Sequence, residues 1–121
     1  GLTPADIAES IVAGIAGPHI PPAAREALLD SHRRLHNHGY IAAMRAVTGF
    51  SAFPDFATIA APTLVITASE DRVAPPAHAR LMAEQIPNAR LIEIPGAGHI
   101  SNLEAPAAFN TALESFLEQL A

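Results

Sequence analysis

Two short apolar runs, Thr63 to Thr67 and Leu91 to Ile94, flank a segment of helical spacing, and this arrangement constrains the fold more than any other feature. A continuous apolar run of this length suits a strand buried on both faces of a parallel sheet. Between the runs, Pro76 to Ile86 sets Ala79, Met82 and Ile86 on one face, and Pro87-Asn88 ends the helix. Strand, helix, strand is a βαβ unit, for which a right-handed crossover is expected. After a loop from Pro95 to Glu104, a last helix opens with Pro106. It lines up Phe109, Ala112, Leu113, Phe116, Leu117 and Leu120 opposite Glu114 and Glu118.

Upstream of Ala60-Ala61-Pro62 the pattern is helical. Thr3 can cap, Pro4 suits the first helical position, and Ile7, Ile11 and Ile15 form one stripe, ended by Gly14 and Gly17-Pro18. A second helix is expected from Pro22 through Leu28 and Leu35 to a stop at Gly39. A short third one carries Tyr40, Ile41, Met44 and Val47, and Phe50 to Phe56 reads as a loop broken by Pro54. Two strands and their helices leave sheet edges and faces uncovered, so something else must complete the sheet. The candidates are an upstream part of the same polypeptide or a second copy of the chain.

Composition removes several function classes. The net charge of −5 is dispersed, all seven basic residues are Arg, and the absence of any basic cluster argues against a nucleic-acid partner. Without cysteine there are no disulfides, thiolate metal sites or Cys nucleophile, which fits a reducing compartment. No apolar stretch reaches the roughly 20 residues that span a bilayer, and Gly1-Leu2-Thr3-Pro4 lacks signal-peptide character. The expectation is a cytoplasmic chain with no membrane partner, and the missing Met points to an N-terminus that is either not the native one or processed.

Reactive groups in open parallel sheets sit on loops at the carboxyl ends of the strands. The first such loop, Ala68 to Pro75, holds Asp71, and the second, Pro95-Gly96-Ala97-Gly98-His99, holds a histidine. Adjacent parallel strands thus deliver an acid and an imidazole to one sheet edge, within hydrogen-bonding reach. Alone, each residue is more often a turn or surface group; together they can act as acid and base. Glu70 is the rival acid, and Gly96 and Gly98 are read as positions free to take positive φ.

Strand, Asp71 with Pro75 four residues on, helix, strand, Gly96-Ala97-Gly98-His99, Glu104-Ala105-Pro106 and an amphipathic helix together resemble the end of the α/β-hydrolase fold. There the triad runs Ser, then Asp or Glu, then His. The match is close over Ala60 to Leu120; the family often has Gly where this chain has Ala68. The helical first half resembles, more loosely, the cap inserted over the active site. The resemblance implies an α/β class with a partial α/β-hydrolase fold. Residues 1–59 would be a helical cap-like segment and 60–121 the C-terminal βαβα part of the core. It implies Asp71 and His99 as the catalytic pair, with no cofactor and no metal.

The nucleophile is not visible. A nucleophile elbow needs Gly-x-Ser-x-Gly between a strand and a helix, and the nearest imitation, Gly49-Phe50-Ser51-Ala52-Phe53, ends in Phe and follows a helix. Ser51 is read as a cap or hinge position. Ser69 and Ser101 are read as shaping their loops through backbone bonds. His32, His36 and His38 invite a metal reading because His32 and His36 are i, i+4. No Glu follows His32 as a His-Glu-x-x-His zinc site requires, so a polar helix face is the better reading.

Gly98-His99-Ile100-Ser101-Asn102-Leu103-Glu104-Ala105-Pro106, with Pro75-Pro76-Ala77-His78, is similar to 3-oxoadipate enol-lactonases. That similarity implies a small ester or lactone substrate. Arg33, Arg34 or Arg45 could meet its carboxylate, and each is equally explained as a solvated helix residue. The alternative is a non-catalytic hydrolase-like module that dimerises or binds a small ligand. The presence of both Asp71 and His99 argues against it.

Overall fold

Thr3 starts the chain's first helix, α1 (Pro4–Ile15), in the computed structural model, which describes residues 1–51 and 54–121. Its side chain accepts from the Asp6 N–H while Asp6 Oδ2 accepts from the Thr3 N–H at 2.8 Å, so each satisfies an orphan donor of the first turn. The buried face differs from the expected stripe. Pro4, Ala8 and Val12 point inward, with Ala16 just beyond the helix, while Ile7, Ile11 and Ile15 are half-buried. Small Ala8 and Ala16 occupy the face that packs with the second helix, and the bulkier isoleucines flank it.

The second helix, α2 (Pro22–Arg33), ends six residues before Gly39, and α3 (Asn37–Gly49) holds Gly39 in its first turn. Two short helices therefore replace the expected long one and its short successor. Leu28 and Leu29 of α2 join Ala8, Val12 and Ala16 in one cluster, with Ile20 and Ile100 packed against it. Each fully buried Leu or Val here contributes about 1.5–3 kcal/mol. No described residue of α3 is buried. Residues 52 and 53 lie outside the described set, so the Phe50 to Phe56 loop is described in part; a 3₁₀ turn at Phe56–Thr58 precedes the sheet.

Strands β1 (Thr63–Ala68) and β2 (Ala89–Ile94) pair in parallel, with Thr63 opposite Ala89 and Ala68 opposite Ile94. Helix α4 (Pro76–Gln85) connects them, and the turn into β2 passes through Asn88 at φ +60°, a conformation Asn tolerates. The βαβ reading holds. Burial on both faces does not: only Thr67 and Ala68 of β1 are buried, because each strand has a single partner among the described residues. Beyond β2, a short α5 (Ser101–Glu104) occupies the end of the expected loop, and α6 (Pro106–Glu118) follows. Ala68, Ile94 and Ala97 form a second cluster under Ile66, Ala105 and Phe109. Of the expected α6 stripe only Ala112 is buried, and Leu117 is 53% exposed. No helix among the described residues is long and apolar enough to cross a membrane.

Candidate active site

The loops after β1 and β2 are stitched together at their bases. The Ser69 N–H donates to Ile94 O at 3.0 Å, the Glu70 N–H to Ala97 O at 3.0 Å, and the Gly96 N–H to Ser69 Oγ at 2.8 Å. Ser69 thus shapes the loop pair as expected. Gly96 takes φ +73°, but Gly98 does not have positive φ. Gly98 is needed for space instead. A Cβ there would lie 2.3 Å from Gly17 N, and one on Gly17 would lie 2.6 Å from Gly98 N.

Within this frame Asp71 and His99 meet. His99 Nδ1 lies 2.9 Å from Asp71 Oδ2. An ionised carboxylate only accepts, which assigns the ring proton to Nδ1 and leaves Nε2 as the free base position. Asp71 Oδ1 accepts from the N–H groups of Val73 at 2.9 Å and Ala74 at 2.8 Å. Its side chain is 10% exposed against 37% for His99. Partial burial pushes the Asp71 carboxyl up. The Ala74 N–H, the His99 side chain, the Val73 N–H and the imidazole charge together outweigh it, holding the carboxyl below its ordinary value. Nε2 has no hydrogen-bond partner among the described residues. An oriented imidazole with one free nitrogen can take a proton and return it.

A cleft of about 210 Å³ opens beside the pair, with Val65, Ala79 and Met82 among its apolar walls and His78 and Ser101 among its polar ones. Glu70, the rival acid, is exposed, and its carboxylate accepts from the neighbouring Ser69 Oγ at 3.4 Å. Ser51 is exposed, and Ala52 and Phe53 of the Gly49 to Phe53 imitation lie outside the described residues.

The other candidates fall apart by geometry. Because α2 stops at Arg33, His32 and His36 do not share a helix: His36 precedes α3, and His32 Nδ1 bonds Leu28 O at 2.8 Å. No group of three His, Cys, Asp or Glu suited to a metal occurs among the described residues. Arg33 pairs with Glu26 at 3.0 Å and Glu9 at 3.7 Å, and Arg34 pairs with Asp30. Arg45 lies exposed on α3.

Three residues that sequence reasoning did not single out surround the pair. Glu104 accepts from Gly17, Gly98 and Ile100 N–H groups, and Arg72 reaches the carbonyls of Ala13 and Ala16. Glu104 was visible as part of a motif and Gly17 as a helix stop, neither with a place beside the pair; nothing local marked Arg72.

Comparison with known proteins extends the picture. The sequence model of the alpha/beta hydrolase family matches residues 3–112. The chain is 46% identical over 63 residues to the Mycobacterium tuberculosis protein named as a non-heme bromoperoxidase, BpoC, covering 52% of this chain and 24% of that one. It is 35% identical over 81 residues to 3-oxoadipate enol-lactonase 2 of Acinetobacter baylyi, covering 67% of this chain and 30% of that one. Among solved structures, the enol-lactonase of Burkholderia xenovorans superposes at TM-score 0.84 with 28% identity, over 93% of this chain and 44% of that one. A Thermogutta terrifontis esterase superposes at 0.82 with 26% identity, over 96% and 44%. The chain therefore spans less than a third of these curated relatives and less than half of these solved chains.

Proposed function

The chain belongs to the alpha/beta hydrolase family, and on that premise we propose that it is the C-terminal part of a serine-type hydrolase of small esters or lactones, resembling enol-lactonases. The observation that carries this reading is the 2.9 Å contact of His99 Nδ1 with Asp71 Oδ2, made from neighbouring strand ends with Nε2 left free. In the proposed reaction His99 Nε2 takes the hydroxyl proton as a serine oxygen attacks the substrate carbonyl, and gives it to the departing alkoxide or enolate oxygen. Asp71 stabilises the imidazolium through Nδ1. Water then repeats the sequence to release the acid. Serine and oxyanion donors come from an upstream part of the same polypeptide, and that part or a second copy completes the sheet, consistent with the unpaired sheet edges. Residues 1–59 serve as the cap-like segment and 60–121 as the end of the core.

The test begins with the intact mass of the native protein, since these residues alone weigh 12.6 kDa. A longer polypeptide with an upstream Gly-x-Ser-x-Gly, hydrolysing an activated aryl ester and silenced by His99→Ala, supports the reading. A native 12.6 kDa chain without turnover favours the non-catalytic module. Residues 1–121 alone are expected to show no turnover above background, and turnover abolished by Ser51→Ala overturns the proposal.

A further inference from the structure

We propose that Glu104 and Arg72 are positioning residues for the Asp71 and His99 pair, fastening the two loops that carry it to one anchor, the carboxyl end of α1. Glu104 Oε2 accepts from the Gly17 N–H at 2.8 Å and the Gly98 N–H at 3.0 Å, and Oε1 accepts from the Ile100 N–H at 3.3 Å. Gly98 and Ile100 flank His99, so one carboxylate holds the backbone on both sides of the imidazole. The His99 N–H itself donates to Ile15 O at 2.8 Å. On the other loop Arg72, the neighbour of Asp71, donates from Nη2 to Ala13 O at 2.9 Å and Ala16 O at 3.1 Å. Carbonyls at a helix C-terminus carry partial negative charge and favour a cation there.

The two ties are charge-assisted, the stronger kind of hydrogen bond. Glu104 engages backbone N–H groups on both sides of the base, and Arg72, next to the acid in sequence, engages carbonyls at the end of α1. The bare Gly17 and Gly98 allow the close approach of α1 that the Glu104 tie needs. Both loops consequently share a reference point outside the sheet. A shift of α1 moves acid and base together, and loss of either tie lets one move against the other. An error of about 1 Å in such a pair costs on the order of 10²-fold in rate.

The catalytic consequence rests on the proposed triad roles, so the test reads activity and geometry separately, in the native polypeptide that carries this sequence. Geometry is read from the downfield proton signal of the His99 Nδ1–H, assigned by its loss in Asp71→Ala. Glu104→Ala is expected to lose that signal and roughly 10²-fold in kcat on an activated aryl ester, with KM within about twofold. Glu104→Gln, which keeps one carbonyl oxygen, recovers part of both. Arg72→Met loses both in the same direction, and Arg72→Lys recovers part. A folded Glu104→Ala with unchanged kcat and signal overturns the proposal; where that variant does not fold, Arg72→Met decides by the same criteria. If the wild type turns over no ester, the triad reading fails and the signal alone decides. Its loss in Glu104→Ala supports the positioning role, and its persistence there, or its absence from the wild type, overturns it.

Discussion

Asp71 divides one carboxylate between two tasks: Oδ1 closes its own turn through Val73 and Ala74, and Oδ2 holds His99. Its pKa in the fold lies below that of the unfolded chain. The stabilisation is therefore complete above the unfolded value of about 3.9 and is lost as pH falls through the lower folded value. Thermal melts taken from about pH 6 down to about pH 2 should show an acid-side fall that is shallower in Asp71→Asn. Ser69 is the second informative residue, since its Oγ is the acceptor for the Gly96 N–H. Ser69→Ala leaves that half-buried donor unsatisfied and should cost about 1 kcal/mol in chemical denaturation. Asp71 and His99 were legible in the sequence because strand-end loops are where such groups occur. Glu104 was legible only as motif, because its partners are backbone N–H groups, one of them 87 residues away.

The contact between the end of α1 and the loop after β2 depends on two glycines that lack side chains for the same reason. A Cβ on Gly98 meets backbone atoms of Gly17 and Ala16, which have no rotamer to relieve the overlap. Gly98→Ala should destabilise by about 1–3 kcal/mol, the usual cost of overpacking. Gly96→Ala meets no neighbour but must take φ +73°, at roughly 1–2 kcal/mol. Urea titrations of the two variants separate the causes. Only Gly98→Ala should also weaken the His99 Nδ1–H signal, because only it forces α1 away. The helix breaks were partly legible. Pro4, Pro22, Pro76 and Pro106 each open a helix as their position suggested. The break between α2 and α3 was not, since the amphipathic pattern runs on through His32 and Leu35 and no Gly or Pro marks Arg34.

At the scale of the whole molecule, apolar surface is left uncovered. Helix α3 exposes Val47 at 68% and α6 exposes Leu117 at 53%, and both described strands have an unpaired edge. Surfaces of this kind favour association with further protein. Residues 1–121 prepared alone are expected to self-associate with rising concentration in sedimentation velocity, and Leu117→Gln should reduce that association. Sedimentation as a 12.6 kDa species at every concentration contradicts the expectation.

The sequence by itself determined the order of strand, helix, strand and helix, the delivery of Asp71 and His99 to one sheet edge, and the family. The order and the delivery follow from periodicity and spacing, which act over a few residues and survive without knowledge of neighbours, and the family follows from the resemblance of the motifs. Only the tertiary structure decided which face of α1 turns inward, why Gly98 is bare, and that Glu104 and Arg72 tie the loops of Asp71 and His99 to that helix. The face of α1 depends on its packing with α2, and the two ties depend on contacts between segments 56 to 87 residues apart. No local pattern encodes such a contact, because it exists only once the elements are packed.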